Sequence, residues 1–131
     1  MALILFIDDD LGSRVLYEKA CAILGHLSLL ADTAKQGIIL AQENQPDLII
    51  LDLSLPDLDG YHVLSRLRQK PKTARIPVVI ISAGISDQDP QDAKAAGAAA
   101  YLTKPVSLTA LQNTIDQFAH CLPDKAPGDY S

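Results

Sequence analysis

The stretch LIILDLSLPDLDG, residues 48–60, decides how the chain is read. Leu48 to Leu51 is a short continuous apolar run, the pattern of a strand buried on both faces of a parallel sheet. Asp52 stands where the run ends, Pro56 stiffens the loop four residues on, and Gly60 follows after four more, with Asp57 and Asp59 in between. A carboxylate at the end of a buried strand is costly to desolvate unless other groups answer it. The spacing therefore marks Asp52 as a chemical centre and turns attention to the ends of the other strands.

Working outward, apolar runs predict strands at 3–7, 26–31, 78–82 and 99–102, besides the one at 47–52. Helical spacing fills the intervals. A helix over 13–24 is expected to bury Val15, Leu16, Cys21, Ile23 and Leu24, with Gly25 as its C-cap. Asp32 or Thr33 caps a helix to Glu43 with Ile38, Ile39 and Leu40 facing inward, and Asn44-Gln45-Pro46 breaks it. Asp59-Gly60 starts a helix that buries Val63, Leu64 and Leu67 and ends near Lys70-Pro71. Asp89-Pro90 opens a short helix to Ala96, and Ser107 to His120 forms the last. Five strands alternating with five helices predict an α/β fold with a five-stranded parallel, doubly wound sheet. The expected domain covers residues 1–120, leaving 121–131 as a tail or linker stub marked by Pro123, Pro127 and Gly128.

Composition narrows the function. At 131 residues and 48% apolar the chain fits one domain with a sizeable core, and its net charge of −5 argues against direct nucleic-acid binding. Cys21 and Cys121 lie in no metal-type spacing and read as idle thiols. The run Ala2 to Ile7 lacks a basic lead and runs into three aspartates, unlike a signal peptide. No apolar stretch approaches the roughly 20 residues that span a bilayer. A soluble, cytoplasmic protein without membrane insertion is expected.

In doubly wound sheets ligands bind outside the carboxyl ends of the strands. Strand one ends in Asp8 and Asp9, strand three in Asp52 and strand four in Ser82, and Lys104 follows strand five. Clustered carboxylates repel unless a cation sits among them, and an oxygen-rich site suits a hard divalent ion such as Mg2+, with Mn2+ as a possible substitute. Such an ion beside a nucleophilic Asp, with a Lys and a Ser nearby, is a constellation for phosphoryl transfer. Neither GxxxxGK nor GxGxxG occurs, so the phosphoryl group is expected from another protein or a small phosphodonor.

These motifs resemble those of response-regulator receiver domains of two-component signalling, of the single-domain chemotaxis-regulator type. The resemblance covers residues 1–120 and rests on Asp8-Asp9, on Asp52-x-x-x-Pro56-x-x-x-Gly60, on Ser82-Ala83, on Ala96-Gly97-Ala98, and on Tyr101-x-x-Lys104-Pro105. It implies a flavodoxin-like strand order 2-1-3-4-5 and Asp52 as the phosphoacceptor. It further implies that Asp9, Asp52 and the Ser54 backbone carbonyl hold Mg2+, with Asp8 acting through water. Lys104 and Ser82 would contact the phosphoryl group, Tyr101 would be the rotameric switch coupled to Ser82, and the Lys104-Pro105 bond would be cis. The implied partners are a histidine kinase or histidine phosphotransfer protein and a downstream protein target. The implied role is a signalling phosphoacceptor without a separate turnover substrate, that is, not an enzyme.

Plainer readings apply to other residues. Asp10 reads as a solvated first-turn charge, Asp57 and Asp59 as loop and cap residues, and His26, His62 and His120 as surface or boundary residues. The polar stretch 86–96 offers no large apolar anchor, Val106 stands where an aromatic often follows Lys-Pro in the family, and Ser54 and Gly84 are small. Two other functions stay open: a phosphorylation-independent interaction domain on the same fold, and a flavin- or nucleotide-binding protein, which the acidic loop after strand one disfavours.

Overall fold

Five apolar segments pair side by side in the computed structural model, which describes residues 2–53, 55, 57–82 and 94–119. In chain order they are β1 (Leu3–Ile7), β2 (Leu27–Ala31), β3 (Leu48–Asp52), β4 (Val78–Ser82) and β5 (Ala100–Thr103). Every pairing is parallel and the sheet order is β2-β1-β3-β4-β5. The described helices are α1 (Leu11–Leu24), α2 (Ala34–Asn44), α3 (Gly60–Gln69) and α4 (Leu108–Ala119). The expected flavodoxin-like architecture is therefore present. Of the helix expected over 89–96, residues up to 93 lie outside the described set; Gly97, just past its expected end, has a positive φ of 104°.

Side chains alternate along each strand, and this sorts the core into two halves. Leu5, Ile7, Ile49, Leu51, Val78 and Ile80 pack beneath α2 and α3. Ile4, Phe6, Leu48, Ile50, Val79 and Ile81 pack beneath α1 and α4. Two covered faces explain why the strand runs are continuously apolar.

The helix faces correct the sequence expectation in two places. Asp10, not a residue at 13, starts α1: its side chain caps the helix by accepting from the Ser13 N–H. The buried side of α1 is Tyr17, Ala20 and Cys21, while Val15, Leu16 and Ile23 are exposed. Small Ala20 and Cys21 let the helix approach the sheet, and the Tyr17 ring stacks on Phe6 at 4.7 Å between centroids. In α2, Ile38 is buried but Ile39 is exposed, because Gly37 and Ala41 supply the close face. A Cβ on Gly37 would come within 2.5 Å of Ile7 Cδ1. Thr33, not Asp32, caps α2, accepting from Gln36 N–H, and Gln45 ends it in a left-handed conformation. His26 precedes β2, where its Nδ1 accepts from the Ala2 N–H. The fifth strand lies one residue later than expected. Ser54, Pro56, His120 and the 121–131 tail lie outside the described residues.

Candidate functional site

β1 and β3 are neighbours, so their carboxyl ends deliver Asp8 and Asp52 side by side. Asp8, Asp52 and Ser82 are buried, with 2%, 4% and 3% of their surfaces exposed, so each must find a partner inside the protein. Asp8 Oδ1 accepts from the Asp10 backbone N–H at 2.9 Å, and the Arg14 guanidinium donates to the Asp8 carbonyl at 2.9 Å. The loop after β1 is thus stitched to the first turn of α1 and fixes the Asp8 side chain. Lys104, just past β5, reaches across the sheet edge. Its Nζ lies 3.0 Å from Asp8 Oδ2 and donates a longer bond of 3.4 Å to Asp52 Oδ2. The Lys104 ammonium is the charge that balances the buried Asp8 Oδ2.

Burial by itself would lower the Lys104 pKa, but the neighbouring Asp8 and Asp52 carboxylates outweigh it and the net shift is upward. Lys104 is therefore charged at neutral pH. The Lys104-Pro105 peptide is cis, as expected, and the Lys104 N–H bonds the Ser82 carbonyl at 2.8 Å, tying the end of β5 to the end of β4.

Asp9 is exposed at the mouth. One carboxylate oxygen from each of Asp8, Asp9 and Asp52 falls within a 4.8 Å span. Three carboxylates so close, one with an unbonded buried oxygen, are an all-oxygen donor set that fits a hard divalent cation. Ser82 follows Ile81, the residue paired with Asp52, so its backbone lies beside the Asp52 strand end. Tyr101 pairs with Ile80 and is half-buried against the α2–α3 half of the core. Ser82 and Tyr101 thus stand on the same side of the sheet by alternation. Ser54, expected to offer its carbonyl, lies outside the described residues.

A family comparison matches residues 4–116 to the response regulator receiver domain. The chain belongs to that family. The receiver is similar to PilH of Pseudomonas aeruginosa, 35% identical over 88% of this chain and 96% of PilH. It is also similar to RpaA of Synechocystis, a DNA-binding transcriptional regulator, at 42% identity over 80% of this chain but only 44% of RpaA. Among solved structures, the receiver domain of Francisella response regulator 1452 superposes with a TM-score of 0.82 at 28% identity, covering 91% of this chain and 97% of that one. The receiver domain of the sensor histidine kinase PA1611 from Pseudomonas aeruginosa, 26% identical with a TM-score of 0.82 over 90% of this chain and 97% of that one, holds a magnesium ion in its active-site cleft. The chain is thus the receiver of a two-component response regulator.

Two features of the site escaped the sequence reading. Asp57 is more than a loop residue: its carboxylate accepts from the N–H groups of Ala34 and Lys35 at 2.9 and 3.1 Å, a remote cap on α2. These bonds hold its pKa below the usual carboxylate value, the Ala34 bond most of all. No local pattern announces a cap donated from 23 residues away. The second is the reason for Gly60. A Cβ there would lie 2.8 Å from Leu53 Cδ2, 2.9 Å from Leu53 Cα and 3.2 Å from the Asp52 carbonyl oxygen. Only glycine lets α3 start against the backbone that presents Asp52.

Proposed function

We propose that this receiver accepts a phosphoryl group on Asp52 from the phosphohistidine of a kinase or phosphotransfer protein, and that the acyl phosphate alters a protein-binding surface. The observation that carries the proposal is the buried Asp52 carboxylate beside the Lys104 ammonium, at a sheet edge that also gathers Asp8 and Asp9. Asp9, Asp52 and the Ser54 carbonyl would hold Mg2+, with Asp8 acting through water. The bound ion would supply positive charge to offset that of the incoming phosphoryl oxygens.

The chain's own residues do the rest. An Asp52 oxygen attacks phosphorus, the P–N bond to the donor imidazole breaks, and its electron pair leaves with the imidazole nitrogen, which takes up a proton in solution. Lys104 already points at Asp52 Oδ2 and offers charge to the new phosphoryl oxygens. Ser82 would donate its hydroxyl to one of them, and Tyr101, on the same side of the sheet, would repack against the loop that Ser82 heads. Protein delivery of the phosphoryl group is supported by the rim: exposed Leu16 and the stem of Lys104 line one shallow groove with Pro105 and Val106, and exposed Leu11 and Leu108 lie nearby in the chain. The receiver of residues 1–120 would act in the cytoplasm as a stoichiometric phosphoacceptor. The test is incubation with acetyl phosphate and Mg2+ followed by intact-mass measurement. The expected gain is one phosphoryl group per chain, and a chain that stays unmodified under these conditions overturns the proposal.

A further inference from the structure

The chain has eleven Lys and Arg residues, and five of them (Arg66, Arg68, Lys70, Lys72 and Arg75) fall within ten consecutive positions. No acidic residue occurs between Gly60 and Ser86, whereas the six basic residues elsewhere stand against sixteen acidic ones. A concentrated positive face on an acidic protein is a feature for a partner to read. Arg68 is committed internally, donating to the carbonyls of Ile76 and Gly97 at 2.8 and 3.1 Å. Arg66, exposed on α3, Lys70, exposed at its C-cap, and Lys35, exposed on α2, have no carboxylate within ion-pair distance among the described residues.

These three side chains edge a groove of about 380 Å³ between α2 and α3, and Ile38, Ile39 and Leu58 form its apolar wall. Ile39 is 46% exposed there, the isoleucine that the helical pattern had assigned to the core. Arg66 and Lys70 also border the neighbouring concavity on α3, shared with His62, Ser65 and Gln69, so the positive face continues beyond the groove. We infer that the α2–α3 groove docks an acidic amphipathic segment of a partner protein, whose apolar side chains sit on Ile38, Ile39 and Leu58 while its carboxylates meet Lys35, Arg66 and Lys70. The apolar wall argues for a peptide chain over a nucleic acid, whose contacts are polar and phosphate-rich. A concave groove suits an inserted side chain better than a flat bilayer surface. Asp57 and Leu58, which line the groove, belong to the loop that follows Asp52, so the occupant touches the segment linking the phosphoacceptor strand to α3.

The test uses the full chain and a synthetic eighteen-residue helical peptide with Leu at every third or fourth position and Glu beside each. Binding is read by fluorescence anisotropy and mapped by amide chemical-shift changes. The expected result is saturable binding with shifts at residues 35–42 and 58–70, weakened at least about tenfold by Arg66→Glu with Lys70→Glu and also weakened by Ile39→Ser. Both variants alter exposed side chains, and an unchanged thermal midpoint confirms that they fold. A Lys-for-Glu version of the peptide is expected not to bind. Absence of binding at millimolar peptide, shifts confined to another face, or tighter binding of single-stranded DNA or phosphatidylglycerol vesicles than of the peptide each overturns the inference.

Discussion

Replacing Lys104 by Met removes the cation that, among the described residues, lies between two buried carboxylates, and its cost follows from the geometry. Lys104 Nζ is 3.0 Å from Asp8 Oδ2 and 3.4 Å from Asp52 Oδ2. At an effective dielectric of about 20 each contact amounts to roughly 5 kcal/mol of attraction, before the ammonium's desolvation is set against it. Removing one member of a buried ion pair costs about 3–5 kcal/mol, because the remaining charge is stranded. The Lys104 side chain is a quarter exposed, and water lowers the expected net loss to about 2–3 kcal/mol. For a domain of this size that is a fall in Tm of roughly 8–12 °C. The assay is thermal unfolding at pH 7 in EDTA. Lys104→Met combined with Asp52→Asn should regain about half of the loss, since only one buried carboxylate is then stranded. Mg2+ should raise the Tm of Lys104→Met by more than that of the native chain. A Lys104→Met protein that unfolds within about 2 °C of the native one in EDTA refutes the view that the ammonium neutralises the pocket.

Three further outcomes are expected. Gly60→Ala forces a methyl group against Leu53 and the Asp52 carbonyl, so urea unfolding should register a loss of about 1–3 kcal/mol and acetyl phosphate labelling should slow; unchanged values in both would dismiss the close approach as the reason for this glycine. Asp57→Ala should speed hydrogen exchange at Ala34 and Lys35 while leaving the Thr33-capped Gln36 amide protected, and equal protection in both proteins speaks against the remote cap. Alkaline pH should destabilise the fold. Burial pushes the Cys21 thiol from 9.0 up to about 11 and the Tyr17 hydroxyl from 10.0 up to about 12, the latter also through the Asp8 charge. The unfolded chain then releases these protons at lower pH than the folded one, so stability declines as pH rises from about 9. Cys21→Ala should remove the part of the decline that begins near pH 9, as read from urea midpoints across that range.

What could be read from the residues and what could not divide along physical lines. Continuous apolar runs such as Leu48 to Leu51 or Val78 to Ile81 have one economical fate, burial on both faces, and strand ends carrying Asp, Ser and Lys stand out against them. That is why the sheet and the grouping of Asp8, Asp9, Asp52 and Lys104 were legible. Helix faces were less so. Leu16 and Ile23 look like core residues by hydrophobicity, yet the buried side of α1 runs through Tyr17, Ala20 and Cys21, and Leu16 and Ile23 are left on the rim. Ile39 is likewise exposed beside Ile38, with Gly37 and Ala41 setting the contact. Contacts distant in sequence were illegible: the Asp57 cap on α2 and the pressure of Gly60 on Leu53 exist only once the loop after β3 has folded back.

The most direct measurement locates the phosphoryl group. Protein labelled with acetyl phosphate in Mg2+ is reduced with borohydride, which converts an acyl phosphate to an alcohol, then digested and sequenced by tandem mass spectrometry. Homoserine in place of Asp52, and none from the Asp52→Asn protein, is the expected result. Modification of Asp8, Asp9 or Asp57, or labelling of Asp52→Asn equal to that of the native chain, contradicts the assignment of Asp52 as the phosphoacceptor.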